Sequence, residues 1–215
     1  FRNLAKEKAD EDAIEVFTDN LRQLLLAAPL GQQAVLGLDP GFRTGCKLVV
    51  LSANGDLLEN NTIYPHPPQN RSQEALKTIA FLIQKYQVKA IAVGNGTASR
   101  ETRDLLKQSP ISGSTQIFLV NESGASIYSA SPIAREEFPD QDVTVRGAVS
   151  IGRRIQDPMN ELVKIPPRSL GVGMYQHDLS EKVLEEKLKD AVIDAVAFVG
   201  VDVNTASLEI LRNVP

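Results

Sequence analysis

Between residues 34 and 120 the hydrophobic pattern changes period, and that change leaves few architectures open. Three short β-rich runs come first, at 34–39, 46–52 and 57–64, with Asn54-Gly55-Asp56 as a hairpin turn between the second and third. Residues 71–87 then place Ala75, Ile79, Leu82, Ile83 and Tyr86 on one helical face. The run from Val88 to Gly94 is apolar enough for a strand buried on both faces. A helix at 98–108, a strand at 115–120 and a helical segment from about Ser123 complete the order βββαβαβα. Hairpins followed by strand–helix units predict an α/β domain: a mixed sheet with helices packed on both sides.

The flanks read as helical. Ile14, Phe17, Leu21, Leu24 and Leu25 mark an amphipathic helix over 4–27, ended by Pro29 and Gly31. Ala148, Ile151 and Ile155 share a face of another helix, Asp157-Pro158 breaks it, and a second runs to about Lys164. Residues 165–177 are a Pro- and Gly-rich linker. A charged helix starts at Asp178, and Val201–Ser207 opens a further one with Asn204 and Thr205 as its cap. No apolar stretch approaches the ~20 residues of a membrane span, so a membrane protein is excluded. Cys46, the single cysteine, cannot form an internal disulfide and reads as a small core residue. No secretory signal leads the chain, and the expected location is a reducing one, the cytoplasm. The chain opens on Phe1 and closes on Val214-Pro215, which reads as a piece of something longer. A formal charge of −4 argues against a strongly basic nucleic-acid coat. It leaves room for a local basic strip, Arg146, Arg153, Arg154, Lys164 and Arg168 against Asp157 and Glu161.

The chemistry gathers at strand ends. Asp39 closes the first apolar run and empties into a glycine-rich turn carrying Arg43, with Lys47 beyond it. In a sheet of this kind the first, fourth and fifth strands end close together, bringing Asp39, Gly94-Asn95-Gly96-Thr97 and Asn121-Glu122-Ser123 into one region. Asp39 and Glu122 could share a Mg²⁺ or Mn²⁺ ion, hard cations suited to oxygen ligands and phosphoryl chemistry. Nuclease sites of this kind need a third acid, and Asp157 is a candidate. Each acid also has a plainer reading: Asp39 as a turn former before Pro-Gly, Glu122 in the first turn of a helix, and Asp157 as a cap before proline. Arg146, Arg153 and Arg154 could neutralise phosphates or form a solvated face. His66 and His177 lack a second ligand at metal spacing and read as surface residues. The glycine-rich turns match neither a Walker nor a dinucleotide fingerprint.

Five motifs carry a family resemblance. Gly37-Leu38-Asp39-Pro40-Gly41-Phe42-Arg43-Thr44-Gly45, Gly94–Thr102, Val120–Ser126 and Ser150–Pro158 resemble the Tex family of bacterial transcription accessory proteins, as does Leu170–Asp178. The likeness covers nearly the whole chain. It implies a YqgF domain of RNase H-like fold, related to Holliday junction resolvases, over 31–165. Residues 1–30 would be a helical linker from a preceding domain, 166–177 a linker, and 178–215 the start of a small all-α helix-hairpin-helix region. In this family an OB-fold domain for RNA follows further on, outside these residues. RNase H-like resolvases place their third acid at the start of the last helix, where this chain reads Asp142-Val143-Thr144-Val145-Arg146-Gly147-Ala148. Arg146 in that place would put a cation where a metal ligand belongs, with Asp142 or Asp157 as substitutes.

The resulting expectation is a nucleic-acid-interacting central fragment without nuclease activity, requiring no cofactor. It would meet RNA or DNA through phosphates, using Arg43, Lys47, Arg146, Arg153 and Arg154 and, at a helix start, Asn204 and Thr205. RNA polymerase or other transcription machinery is a further expected partner. The alternative is a metal-dependent nuclease or junction resolvase built on Asp39 and Glu122 with Asp142 or Asp157.

Overall fold

A computed structural model describes residues 2–203 and 206–215. The chain divides into two compact units, one of residues 29–157 and one that joins residues 1–28 to 158–215.

The second of these opens with α1 (Arg2–Leu25). The unit of residues 29–157 begins with β1 (Val35–Asp39), β2 (Cys46–Leu51) and β3 (Leu57–Ile63). It continues through α2 (Ser72–Tyr86), β4 (Ala90–Gly94), α3 (Ser99–Lys107) and β5 (Gln116–Val120). It ends with α4 (Ala125–Ala130), α5 (Pro132–Glu137) and α6 (Val143–Gln156). The sheet order is β3-β2-β1-β4-β5. β1 pairs antiparallel with β2 and parallel with β4, so the sheet is mixed. The turn between β2 and β3 holds Gly55 at φ +83°, with the Ser52 hydroxyl accepting from the N–H groups of Asn54 and Asp56.

Strand parity sorts the core into two layers. Leu36, Leu38, Leu48, Val50, Ile91 and Val93 meet Ile79 and Leu82 of α2 and Leu106 of α3. Val35, Val49, Leu51, Ala90, Ala92 and Val120 face the other way, toward Ala148, Val149 and Ile151 of α6 and Ala125 of α4. β1 and α6 are in near backbone contact. A Cβ added at Gly37 would lie 2.5 Å from the Ala148 carbonyl oxygen and 3.2 Å from the Gly152 nitrogen. At the far end of α6 the Ile155 carbonyl accepts from Leu30 N–H, and the Gln156 amide donates to the carbonyls of Gln33 and Ser52. The helix therefore runs antiparallel to β1, its first turns beside the end of the strand that carries Asp39.

The other unit is helical: α1 packs with α7 (Pro158–Leu162), α8 (Glu181–Val199) and, through α7, α9 (Leu208–Leu211). Phe17, Leu21 and Leu25 are buried with Leu184, Leu188, Val192 and Val196. The Asn20 side-chain amide donates to the Val172 carbonyl at 2.8 Å. Ser207 caps α9, accepting from Ile210 N–H. Asn204 and Thr205, expected as the cap, lie outside the described residues.

Candidate carboxylate site

Parity decides which strand-end residues meet. Asp39 follows Val35 and Gly37 on the α6 side of β1; Gly94 follows Ala90 and Ala92 on the same side of β4; and Glu122, two beyond Val120, continues that side past the end of β5. Glu122 reaches back over the fourth strand. A Cβ at Gly94 would stand 2.3 Å from its Oε2, and a Cβ at Gly96 would collide with its Oε1. Both positions need to be glycine for the carboxylate to lie there. The Glu122 N–H donates to the Asn95 side-chain oxygen, fixing the start of the segment. Among the described residues the buried Glu122 Oε2 has no hydrogen-bond partner.

The structure thus brings Asp39 and Glu122 together, as strand order predicts. Burial first, and the charge of Glu122 second, push the Asp39 carboxyl from 3.8 up to about 6, against the opposing pull of Lys47. Lys47 is the cross-strand neighbour of Asp39 in the β1–β2 register, and its ammonium donates to the Thr62 hydroxyl at 3.0 Å. Arg43 is exposed in the turn that follows Asp39.

The residue of α6 that faces Asp39 is Gly147, where an added Cβ would lie 3.8 Å from the Asp39 Oδ2. Arg146, expected at that place, turns away. It is 7% exposed, with Nε and Nη2 donating to the Phe138 carbonyl and Nη1 to that of Ser129. Asp142 is the N-cap of the same helix, its Oδ1 accepting from the N–H groups of Thr144 and Val145. Asp157 closes α6 at the opposite end, ten residues and about 15 Å of helix axis from Gly147. The structure does not bring it to Asp39. It has the Asp-Pro arrangement of a helix junction, with Pro158 opening α7. Among the described residues no three His, Cys, Asp or Glu side chains stand together as a metal-binding group. Two hard carboxylate donors, one with a buried oxygen that lacks a partner among the described residues, fit a single Mg²⁺ or Mn²⁺.

Arg153 and Arg154 of the basic strip are also engaged internally. Arg153 Nε donates to the Gly55 carbonyl, its Nη1 pairs with Glu137 at 2.9 Å, and its guanidinium lies over the Phe138 ring. Arg154 is 6% exposed and donates to the Asn121 and Ser123 carbonyls. These bonds tie α6 to the segment holding Glu122.

Sequence reasoning missed two participants. Gly147 carries no side-chain signal, although the small residues Gly147, Ala148 and Gly152 are the mark of a helix face pressed on a strand. His66, read as a surface residue, is instead buried, its Nε2 2.7 Å from the Thr102 hydroxyl and its ring edge-on to Phe42. Thr102 also contacts Cys46, whose thiol points to the Gly41 carbonyl, so this cluster anchors the turn after Asp39. Desolvation holds the His66 pKa below its ordinary value. His177 is exposed.

No described helix is long and apolar enough to cross a membrane. Residues 33–156, which contain the whole sheet and α6, match the family described as Tex protein YqgF-like domain. Protein tex of Bordetella pertussis is 51% identical over 213 residues, covering 97% of this chain and 27% of that protein. The transcriptional accessory protein Tex of Neisseria gonorrhoeae is 52% identical over 216 residues, 99% of this chain and 28% of the relative. The human S1 RNA-binding domain-containing protein 1 is 42% identical over 220 residues, 100% of this chain and 22% of the relative. The chain spans less than a third of the length of these relatives. Its matched span is a five-stranded mixed sheet, helix-covered in RNase H-like fashion, and with these identities it places the chain in the Tex family.

Proposed function

We propose that this chain is a nucleic-acid-interacting part of a cytoplasmic Tex-like transcription accessory protein. Its RNase H-like domain, over about 31–165, is a non-catalytic scaffold, and the segment from about 178 begins a helix-hairpin-helix region. The observation that carries the non-catalytic reading is Gly147: the helix position facing Asp39 has no side chain with which to complete a three-carboxylate set. Nucleic-acid contact is supported by the exposed Arg43 and by the half-buried Lys47 across from Asp39, and by relatives whose names refer to transcription and to an S1 RNA-binding domain. Charge distribution favours the same region. The unit of residues 29–157 has 13 basic against 12 acidic side chains, whereas the other has 10 against 15. Phosphate contact by Arg43 and Lys47 makes binding fall with salt, each contact adding about 0.9 to the slope of log K on log[salt] for duplex DNA.

Titrating labelled RNA and duplex DNA across salt tests this. Arg43→Ala with Lys47→Ala lowers affinity and reduces the duplex slope by about 2. Salt-insensitive binding, or a slope the double substitution leaves alone, contradicts it. A partner in the transcription machinery, RNA polymerase among them, belongs to the same proposal and is read by cross-linking in extract.

The buried Glu122 oxygen beside Asp39 favours a second reading, a divalent-metal nuclease or junction resolvase. Asp39 and Glu122 would hold the ion, which supplies charge neutralisation at a phosphate when bound. Cleavage of branched DNA or RNA in Mn²⁺, lost on Asp39→Asn, would establish that reading; no cleavage supports the scaffold.

A further inference from the structure

The helical unit carries a groove of about 640 Å³ that the nucleic-acid reading does not use. It is lined by one stripe on each of two helices, from Glu11 to Arg22 on α1 and from Val183 to Asp194 on α8. Each stripe runs for about 16 Å of axis, roughly three helical turns. We propose that this groove docks a cationic amphipathic helix of a protein partner.

Its less exposed lining residues are Ile14, Thr18 and Ala191, with Val183 at 44% exposure beside them, so apolar side chains and one hydroxyl share the inner surface. The rim is acidic. Glu11, Glu15, Asp190 and Asp194 outnumber Arg22 and Lys187. Arg22 is already committed, bonded to Asp19 at 2.9 Å and reaching Asp194 at 3.6 Å, so it clasps α1 to α8 at one end. Glu11, Glu15 and Asp190 have no cation within ion-pair distance among the described residues. Ile14, Val183 and Ala191 beside unneutralised carboxylates are complementary to a helix with leucine-like residues on one face and Lys or Arg flanking them, the helix-in-groove mode of recognition. A phosphate backbone meets repulsion on the same rim.

The probe is a fluorescein-labelled Lys/Leu amphipathic peptide of five turns, about 18 residues, titrated into the 215-residue chain and followed by anisotropy. A Glu/Leu peptide of the same pattern and a single-stranded oligonucleotide serve as comparisons. The expected result is saturable one-to-one binding of the Lys/Leu peptide. Glu15→Lys with Asp190→Lys, both at exposed positions, weakens it about tenfold or more. Ile14→Ser, which removes an apolar lining side chain, weakens it too. Circular dichroism of each variant checks that the helices persist. Failure to saturate, equal binding by the charge-reversed variant, or equal binding of the Glu/Leu peptide would overturn the proposal. Displacement of the peptide by the oligonucleotide would assign the groove to nucleic acid, and a peptide-sensitive dimer in sedimentation would assign it to a second copy; either result refutes the partner named here.

Discussion

Replacing Asp39 by asparagine is predicted to stabilise the protein at neutral pH, which is the opposite of what removing a useful surface charge does. The carboxyl is pushed up to about 6 in the folded protein, by burial and then by Glu122, from 3.8 when unfolded. Between those values the folded state binds the extra proton, so stability falls as pH rises through the window. A raised carboxyl costs nothing below about pH 4 and its full amount above about pH 7. The rise covers roughly two pH units, and at about 1.4 kcal/mol for each the cost at neutral pH is about 3 kcal/mol. Asparagine has the shape of aspartate without the charge. The Asp39→Asn protein and the parent should therefore have similar stability at pH 4, and the variant should gain up to about 3 kcal/mol by pH 7–8. Urea denaturation followed by far-ultraviolet circular dichroism at half-unit pH steps measures the difference directly. A variant less stable than the parent at pH 8, or a gap that does not change with pH, would refute the reasoning.

Three other outcomes follow from the packing around the same site. Gly37→Ala should cost about 3 kcal/mol or more in urea unfolding, because its Cβ meets a backbone carbonyl at 2.5 Å and α6 must move off the sheet. Arg146→Met removes the donors to the Phe138 and Ser129 carbonyls; a loss of about 2–4 kcal/mol is expected, with the salt slope of nucleic-acid binding unchanged. Gly147→Asp sets a third carboxylate beside Asp39. It should destabilise the metal-free protein by about 1–3 kcal/mol, and Mn²⁺ should raise its melting temperature more than the parent's.

Much of the fold was legible because the code of strands is short-range. The period change near residue 70 marked the element order, and strand adjacency alone put Asp39 and Glu122 at one end of the sheet on either side of β4. Parity carries the reasoning further, since Asp39, Gly94 and Glu122 share the face of Val35, Ala90 and Val120. What the sequence did not disclose was the rotation of α6. Arg146, Gly147, Arg153 and Arg154 all sit near a helix face that could be aimed at solvent, at a phosphate or at the sheet, and only the close approach of Gly37 to Gly152 selects among them. Three arginines within a helix resemble a basic strip until the carbonyls they bind are known, and those carbonyls belong to segments 8 to 98 residues away. The partnership of α1 with α8 was hidden for the same reason: each is amphipathic alone, and nothing local says which stripe meets which.

The central claim is that Asp39 and Glu122 share one pocket over β4, and the titration of Asp39 itself tests it. Carboxyl-carbon NMR of the parent should show a midpoint of about 6 for Asp39, and Glu122→Gln should lower that midpoint while burial keeps it above 3.8. A midpoint near 3.8 in the parent, or one that Glu122→Gln leaves in place, would contradict the account.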